Sequence, residues 1–205
     1  MRTCDQGAVN GSVHVGTIPI TELLLAYGTG RFPMCHDDGE LYWHDPDPRA
    51  VFPLEQLGPN ARAIRAFRQA GFTTTIDEAF EAVIRACADR RETWIDERLI
   101  TSYVALHASG YAHSVETWAK GELVGGIYGV SLRGAFFGES MFSRRTNAGK
   151  AAFFALVAHL QEQGHVLFDT QYLNDFTQQL GAIEIPRERF RERLDAALDV
   201  DVRFQ

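Results

Sequence analysis

From residue 113 onward the chain changes its apolar period, and that change constrains the fold more than any other feature of the sequence. Three short apolar runs, 114–118, 123–130 and 135–142, are separated by Lys120-Gly121 and Leu132-Arg133-Gly134, which read as hairpin turns. They predict an antiparallel meander. Directly after it Phe153, Phe154, Leu156, Val157 and Leu160 make a helical stripe closed by Gly164, and residues 166–171 return to strand composition. Upstream, helices are predicted at 61–69, 77–90 and 96–109, with Asp77 and Asp96 as N-caps and Gly71 and Gly110 as C-terminal stops. A shorter helix runs from a Thr21 cap through Ala26 to the stops Gly28 and Gly30. Helices, meander, helix and strand together are an α+β order.

The sharpest break in composition is His44-Asp45-Pro46-Asp47-Pro48-Arg49, where two prolines bar regular helix. It leads us to expect a small N-terminal subdomain, residues 1–58, and a main domain, 59–205, in a chain long enough for a substantial core. The net charge of -7 argues against a generally basic nucleic-acid binder, so any surface for phosphates has to be local. Cys4, Cys35 and Cys87 are odd in number and lack C-x-x-C spacing, which fits a reducing cytoplasm and gives no disulfide framework. His107, His113, His159 and His165 show no metal-ligand spacing that marks a site, and His113 at a strand start reads as a hydrogen-bonding core group; neither a metal nor a cofactor is expected. Residues 1–15 do not read as a signal peptide and no run is long enough to span a membrane, so the expected location is cytoplasmic and the expected state a monomer.

Two polar islands interrupt the apolar pattern: Gly138-Glu139-Ser140-Met141-Phe142-Ser143-Arg144 and Asp169-Thr170-Gln171-Tyr172-Leu173-Asn174. Each follows a segment that should be buried, so Glu139 and Asp169 enter low-dielectric surroundings and need hydrogen-bonded partners there. Asp169 and Gln171 lie two apart on one expected strand and would share a face, where the carboxylate can polarise the amide or take a proton while the amide orients a nucleophile. The structural alternatives are an Asp that caps a turn, a satisfied buried Gln and, for Glu139, a carboxylate tied to backbone N–H groups. Residues 143–150 form a basic, hydroxyl-rich, Gly-containing entry to a helix, suited either to holding phosphates or to plain capping. No serine sits in a G-x-S-x-G elbow and no cysteine has an evident partner.

The element order is similar to that of the GNAT-type acyltransferases, where the turn after the meander meets the acyl donor. CoA enzymes of that fold usually carry Gln or Arg three residues before a Gly; here Thr146 precedes Gly149 at that spacing. A CoA-dependent N-acyltransferase is one reading, and acetyl-CoA turnover would reveal it. A second reading rests on Gly125-Gly126-Ile127-Tyr128-Gly129-Val130, Phe137-Gly138-Glu139-Ser140-Met141-Phe142-Ser143, Asn147-Ala148-Gly149-Lys150, the island from Asp169 to Asn174, and Leu180-Gly181-Ala182-Ile183-Glu184-Ile185-Pro186-Arg187. Together with Ala26-Tyr27, Gly30-Arg31-Phe32-Pro33-Met34, Trp43 before Asp45-Pro46-Asp47-Pro48-Arg49, Thr93-Trp94-Ile95 and His113-Ser114-Val115-Glu116, these resemble, in order, the leucyl/phenylalanyl-tRNA–protein transferases.

That resemblance implies transfer of leucine or phenylalanine from the 3′ end of charged tRNA to the α-amino group of proteins beginning with Arg or Lys, marking them for degradation, with no metal. It implies catalytic roles for Asp169 and Gln171, with Glu139 orienting the aminoacyl group. The aminoacyl pocket would comprise Ile127, Phe136, Gly138, Met141, Phe153, Leu156 and Phe168, with Asn174 beside it. Here Ile127 replaces a Met of the family, and Phe153 and Leu156 exchange a Leu and a Phe. Trp43, His44 and Trp94 are candidates to stack on the terminal adenine, or else to pack between the subdomains. For tRNA phosphates the candidate patches are Arg85, Arg90 and Arg91, then Arg144, Arg145 and Lys150, and near the tail Arg187, Arg189, Arg191 and Arg193. The chain departs from the family in lacking the Gly-Gly-Asp-Leu stretch often found ahead of the first helix.

Overall fold

The computed structural model of the chain describes residues 8–9 and 16–204; apart from 8–9, the expectations for residues 1–15 lie outside the described residues. The elements in order are β1 (Ala8–Val9), α1 (Ile20–Gly28), β2 (Phe32–Cys35), β3 (Leu41–His44), β4 (Arg49–Phe52), a short 3-10 turn (Leu54–Gln56), α2 (Ala61–Gln69), β5 (Thr73–Ile76), α3 (Phe80–Ala88) and α4 (Glu97–Ala108). There follow β6 (Ala112–Ala119), β7 (Glu122–Leu132), β8 (Ala135–Ser143), α5 (Ala148–Gln163), β9 (Leu167–Gln171), α6 (Asp175–Gln179), β10 (Ile183–Ile185) and α7 (Arg187–Leu198). This is a mixed α+β fold. One sheet has the order β1-β3-β2; the other has seven strands in the order β10-β4-β9-β8-β7-β6-β5, antiparallel throughout except between β8 and β9.

The meander of β6, β7 and β8 forms where the period predicts it. Lys120 and Gly121 both take positive φ, 54° and 80°, the signature of a two-residue turn whose twist matches its strands. Apolar side chains alternate across β8. Phe137 faces α1 and packs against Tyr27, while Phe136 faces the other way, toward Phe168 and the α5 side. The sheet is therefore buried on both faces, by α1, α3, α4 and α7 on one and by α5 on the other.

Helix ends follow the expected chemistry in part. Asp96 caps α4 by accepting from Leu99 N–H at 2.9 Å, and Gly71 and Gly110 take positive φ. Thr21 lies inside α1, whose first amides bond instead to the Pro19 carbonyl. Asp77 does not cap α3 either: it sits at φ 58°, and its carboxylate turns to Ser114 N–H and His113. The segment at the proline-rich break is the main departure from the sequence reading. Arg49–Phe52, on the N-terminal side of residue 58, adds a strand to the seven-stranded sheet between β9 and β10.

Candidate active site

Two bulges, in neighbouring strands, build the site. Between β7 and β8 the register passes from Tyr128 opposite Ser140 to Gly129 opposite Gly138, which leaves Glu139 as the extra residue on β8. Between β4 and β9 it passes from Val51 opposite Asp169 to Ala50 opposite Gln171, leaving Thr170 extra on β9. A bulge bends its strand and re-aims the side chains around it. The first requires Gly129, where a Cβ would stand 2.2 Å from the Phe137 carbonyl oxygen. The parallel pairing of β8 and β9 ends at Phe137 opposite Asp169, and beyond it residues 138–143 and 170–172 line a cavity of about 510 Å³.

The Glu139 carboxyl is the centre of a polar network. Tyr27 of α1 donates to Oε1 at 2.8 Å, Tyr103 of α4 donates to Oε2 at 3.1 Å, and the Gln171 amide donates to Oε1 at 3.1 Å. Burial pushes this carboxyl up to about 7; the two tyrosine hydroxyls work against the rise, the Asp169 charge adds to it and the Arg49 charge opposes it. The same burial and the carboxylate beside them hold both tyrosines well above the ordinary range, so they stay as donors.

Asp169 is arranged otherwise. It is fully buried, as is Arg49, and the guanidinium grips both its oxygens, at 2.8 and 2.7 Å. Arg49 also donates to the Gly30 carbonyl at 2.8 Å and lies between the rings of Phe32 and Phe190. The expected pairing of the Asp169 carboxylate with the Gln171 side chain does not occur. The bulge at Thr170 and a positive φ of 60° at Gln171 break the strand alternation, so Asp169 accepts the Gln171 backbone N–H at 3.1 Å and the amide turns to Glu139.

Around this floor the cavity wall is apolar: Phe32, Met34, Phe52, Ile127, Met141, Phe153, Phe168 and Leu180, with Trp94, Tyr172 and Phe176 also lining it. The Tyr172 hydroxyl meets His44 Nδ1 at 2.7 Å, and burial, with His36 beside it, lowers His44 to about 4. Residues 51–195 match the family model described as leucyl/phenylalanyl-tRNA protein transferase. A leucyl/phenylalanyl-tRNA–protein transferase from Gloeobacter violaceus is 51% identical over 184 residues, covering 89% of this chain and 95% of its own. Those from Pelodictyon phaeoclathratiforme and Salinibacter ruber are 48% and 50% identical, over 91% and 87% of this chain and 99% and 79% of theirs.

The chain belongs to the leucyl/phenylalanyl-tRNA protein transferase family. In this member of the family the cavity brings together Ile127, Gly138, Glu139, Met141, Phe153, Phe168, Gln171, Trp94 and Asn174 from the residues singled out in the sequence, with Arg90 and Lys150 at its edge. Phe136 and Leu156 do not reach it; they pack in the core behind Phe168 and Phe153. Trp43 is buried in β3, opposite Pro33 and Val9, and is not among the cavity's lining residues. Asn174 lines the cavity and also caps α6, accepting from Phe176 and Thr177 N–H.

Of the basic candidates, Arg85 is paired with Glu81 and Glu97, and Arg187 and Arg191 converge on the buried Asp45. Arg189 pairs with Glu192. Arg90 donates to the Ser140 hydroxyl and the Met141 carbonyl, both at 3.1 Å, and shares with Arg144 a depression of about 320 Å³ beside the cavity. Arg91 and Arg145 are exposed. At the start of α5 the turn closes on itself: Ala148 N–H bonds to the Arg145 carbonyl and Gly149 N–H to the Ser143 hydroxyl. Two amides at the entry to α5 are thereby taken within the turn and are not free to hold a phosphate. The sequence reading missed Tyr27, Tyr103 and Arg49 as partners of the site, because they reach it from α1, α4 and β4. Phe32, Met34, Phe52, Tyr172, Phe176 and Leu180 were missed as lining; the runs of apolar and aromatic residues that hold them were the available signal.

Proposed function

We propose that the chain moves leucine or phenylalanine from the 3′ end of charged tRNA to the α-amino group of proteins beginning with Arg or Lys, marking them for degradation, as a monomer in the cytoplasm. Membership of the family supports aminoacyl transfer from tRNA to a protein. The observation that carries the reading is a carboxyl held at about 7 and bonded to an amide, at the floor of an apolar cavity of about 510 Å³. Such a volume is typical of small-molecule sites. The α+β order, with β8 and β9 parallel and joined through α5, supports a GNAT-like frame.

In this proposal the leucyl or phenylalanyl side chain lies against Phe52, Ile127, Met141, Phe153, Phe168 and Leu180, and Gly138 lets the ester approach the strand. Trp94 and Tyr172 supply faces for the terminal adenosine. The substrate amine, whose ordinary pKa is about 7.7–8.0, attacks the ester carbonyl as the free base. As the C–N bond forms the nitrogen becomes cationic, and Glu139, poised near neutrality, takes its proton. Collapse of the tetrahedral intermediate breaks the C–O bond, and the ribose oxygen leaves with the proton that Glu139 returns. Gln171 orients the carboxylate through its amide. Asp169, with both oxygens gripped by Arg49, acts as a positioning residue that fixes the Gln171 backbone. Arg90, Arg144, Arg145 and Lys150 form the basic rim that meets the acceptor stem, with Arg91 nearby.

The test is transfer of labelled leucine from leucyl-tRNA to a peptide beginning with Arg, compared with the same peptide N-acetylated and with acetyl-CoA as donor. Transfer from tRNA alone, to the free amine alone, is the expected result. Acylation from acetyl-CoA, or no transfer from either leucyl- or phenylalanyl-tRNA, overturns the proposal.

A further inference from the structure

Asp77, His107 and His113 converge from three elements at a place none of the cavity residues occupies. Asp77 follows β5, His107 belongs to the last turn of α4, and His113 is the second residue of β6. One ligand atom of each lies within 4.8 Å of the others. Ligands about 2.0–2.2 Å from a tetrahedral ion stand roughly 3.3–3.6 Å apart, so small side-chain shifts close the set. Asp77 and His107 are part-exposed, at 28% and 29%, which leaves a path from solvent.

The groups behind these ligands are already in place. Metal-binding imidazoles as a rule donate their other N–H to a carbonyl or carboxylate, and His113 Nε2 faces the Gly110 carbonyl at 3.2 Å, leaving Nδ1 for the ion. Asp77 Oδ1 accepts Ser114 N–H at 2.8 Å, which leaves Oδ2 directed at His113 Nδ1, 2.7 Å away. The His107 ring is stacked on Phe80 with centroids 4.3 Å apart, and the His113 ring on Phe204 at 4.1 Å. His107 Nδ1 lies 3.9 Å from Asp77 Oδ1 and now meets the Ala112 carbonyl at 2.7 Å, the one hydrogen bond besides that of His113 to Asp77 that coordination replaces. Asp77 itself sits in the left-handed region at φ 58°, a conformation Asp tolerates, and this aims its carboxylate at both rings.

We propose that Asp77, His107 and His113 form a binding site for a zinc-class divalent ion, separate from the catalytic cavity, that ties β5, α4 and β6 together. Two imidazoles and one carboxylate suit a borderline ion such as zinc, with water as the remaining ligand. Protons compete with the ion for the imidazole lone pairs, so binding weakens in acid.

The test is calorimetric titration of the purified, chelator-stripped full-length protein with zinc ion, at neutral and at acid pH, with thermal unfolding in parallel. One equivalent binding at micromolar zinc, weaker at acid pH and accompanied by a raised Tm, is expected. His107→Ala and Asp77→Asn should each weaken binding by about tenfold or more, while His36→Ala, which removes the other close histidine pair, leaves it intact. Circular dichroism establishes that the variants fold, and His107→Gln serves if His107→Ala does not. The transfer activity of the His107 variant should match that of the unaltered protein. Absence of binding to the wild-type chain, unchanged binding in folded His107 and Asp77 variants, or loss of binding in His36→Ala overturns the site.

Discussion

At the residue scale, Glu139 and Asp169 show how two buried carboxyls can be given different work by their partners. Glu139 faces neutral donors and stays at about 7, whereas Asp169 faces a guanidinium in bidentate contact. Because the folded pKa of Glu139 lies above its ordinary value of about 4.3, the folded protein holds a proton that the unfolded chain has lost between those values. The stabilisation is full below about pH 4.3 and disappears as pH rises through 7, at a cost of up to about 4 kcal/mol by pH 8. Glu139→Gln should therefore flatten the stability profile between about pH 5 and 8 and lose transfer by about 10²–10⁴-fold. Urea unfolding across that range, beside the transfer assay, checks both outcomes. Arg49→Met leaves Asp169 buried and unpaired, so it should cost about 3–5 kcal/mol; adding Asp169→Leu should recover a large part of that loss in the same unfolding measurement.

At the scale of elements, the bulges decide where the functional groups point. An unbroken β8 would pair residue by residue with β7, and an unbroken β9 would project Asp169 and Gln171 to one face. Gly129 is the position on which the first bulge depends, since a methyl group there would meet both the Phe137 carbonyl oxygen and the Phe136 ring at 2.6 Å or less. We expect Gly129→Ala to lose at least about 2 kcal/mol of stability. It should lower kcat more than it raises KM, because the shifted bulge moves Glu139 away from Tyr27 and Gln171. Unchanged kcat and KM, measured at a temperature where the variant is fully folded, would remove the bulge from the mechanism.

At the scale of the whole molecule, an acidic chain of net charge -7 presents a basic edge beside one cavity. In the proposed function these local contacts release counterions from the tRNA phosphates and so set the salt dependence of binding. Replacing Arg90 and Lys150 together by Gln should weaken aminoacyl-tRNA binding and reduce the slope of log affinity against log salt by roughly 1–2. Filter binding between low and physiological salt measures it, and an unaltered slope would place the acceptor stem elsewhere. The cavity is also reached by chain that precedes the family match at 51–195: Phe32 and Met34 line it, and Tyr27 bonds its central carboxyl. Among the described residues no helix is long and apolar enough to cross a membrane.

The sequence by itself determined the meander, α5 and most helix ends, because apolar period, turn chemistry and capping are local properties that neighbouring residues carry. It also determined the family, and it drew attention to Glu139 and Gln171, since polar groups set against apolar runs need partners. Tertiary structure alone decided who those partners are. Arg49 reached Asp169 across 120 positions, Tyr27 reached Glu139 across 112, and no periodicity records such a pairing. Arg49 closes the proline-rich break and residues 50–52 carried no strand reading, yet strand pairing with β9 and β10 drew Arg49–Phe52 into the sheet. The bulges likewise left no period to read, because one unpaired residue shifts alternation only when a neighbouring strand fixes the register. Asp77 lies far along the chain from His107 and His113, and three elements folding together set the three side chains within reach of one another.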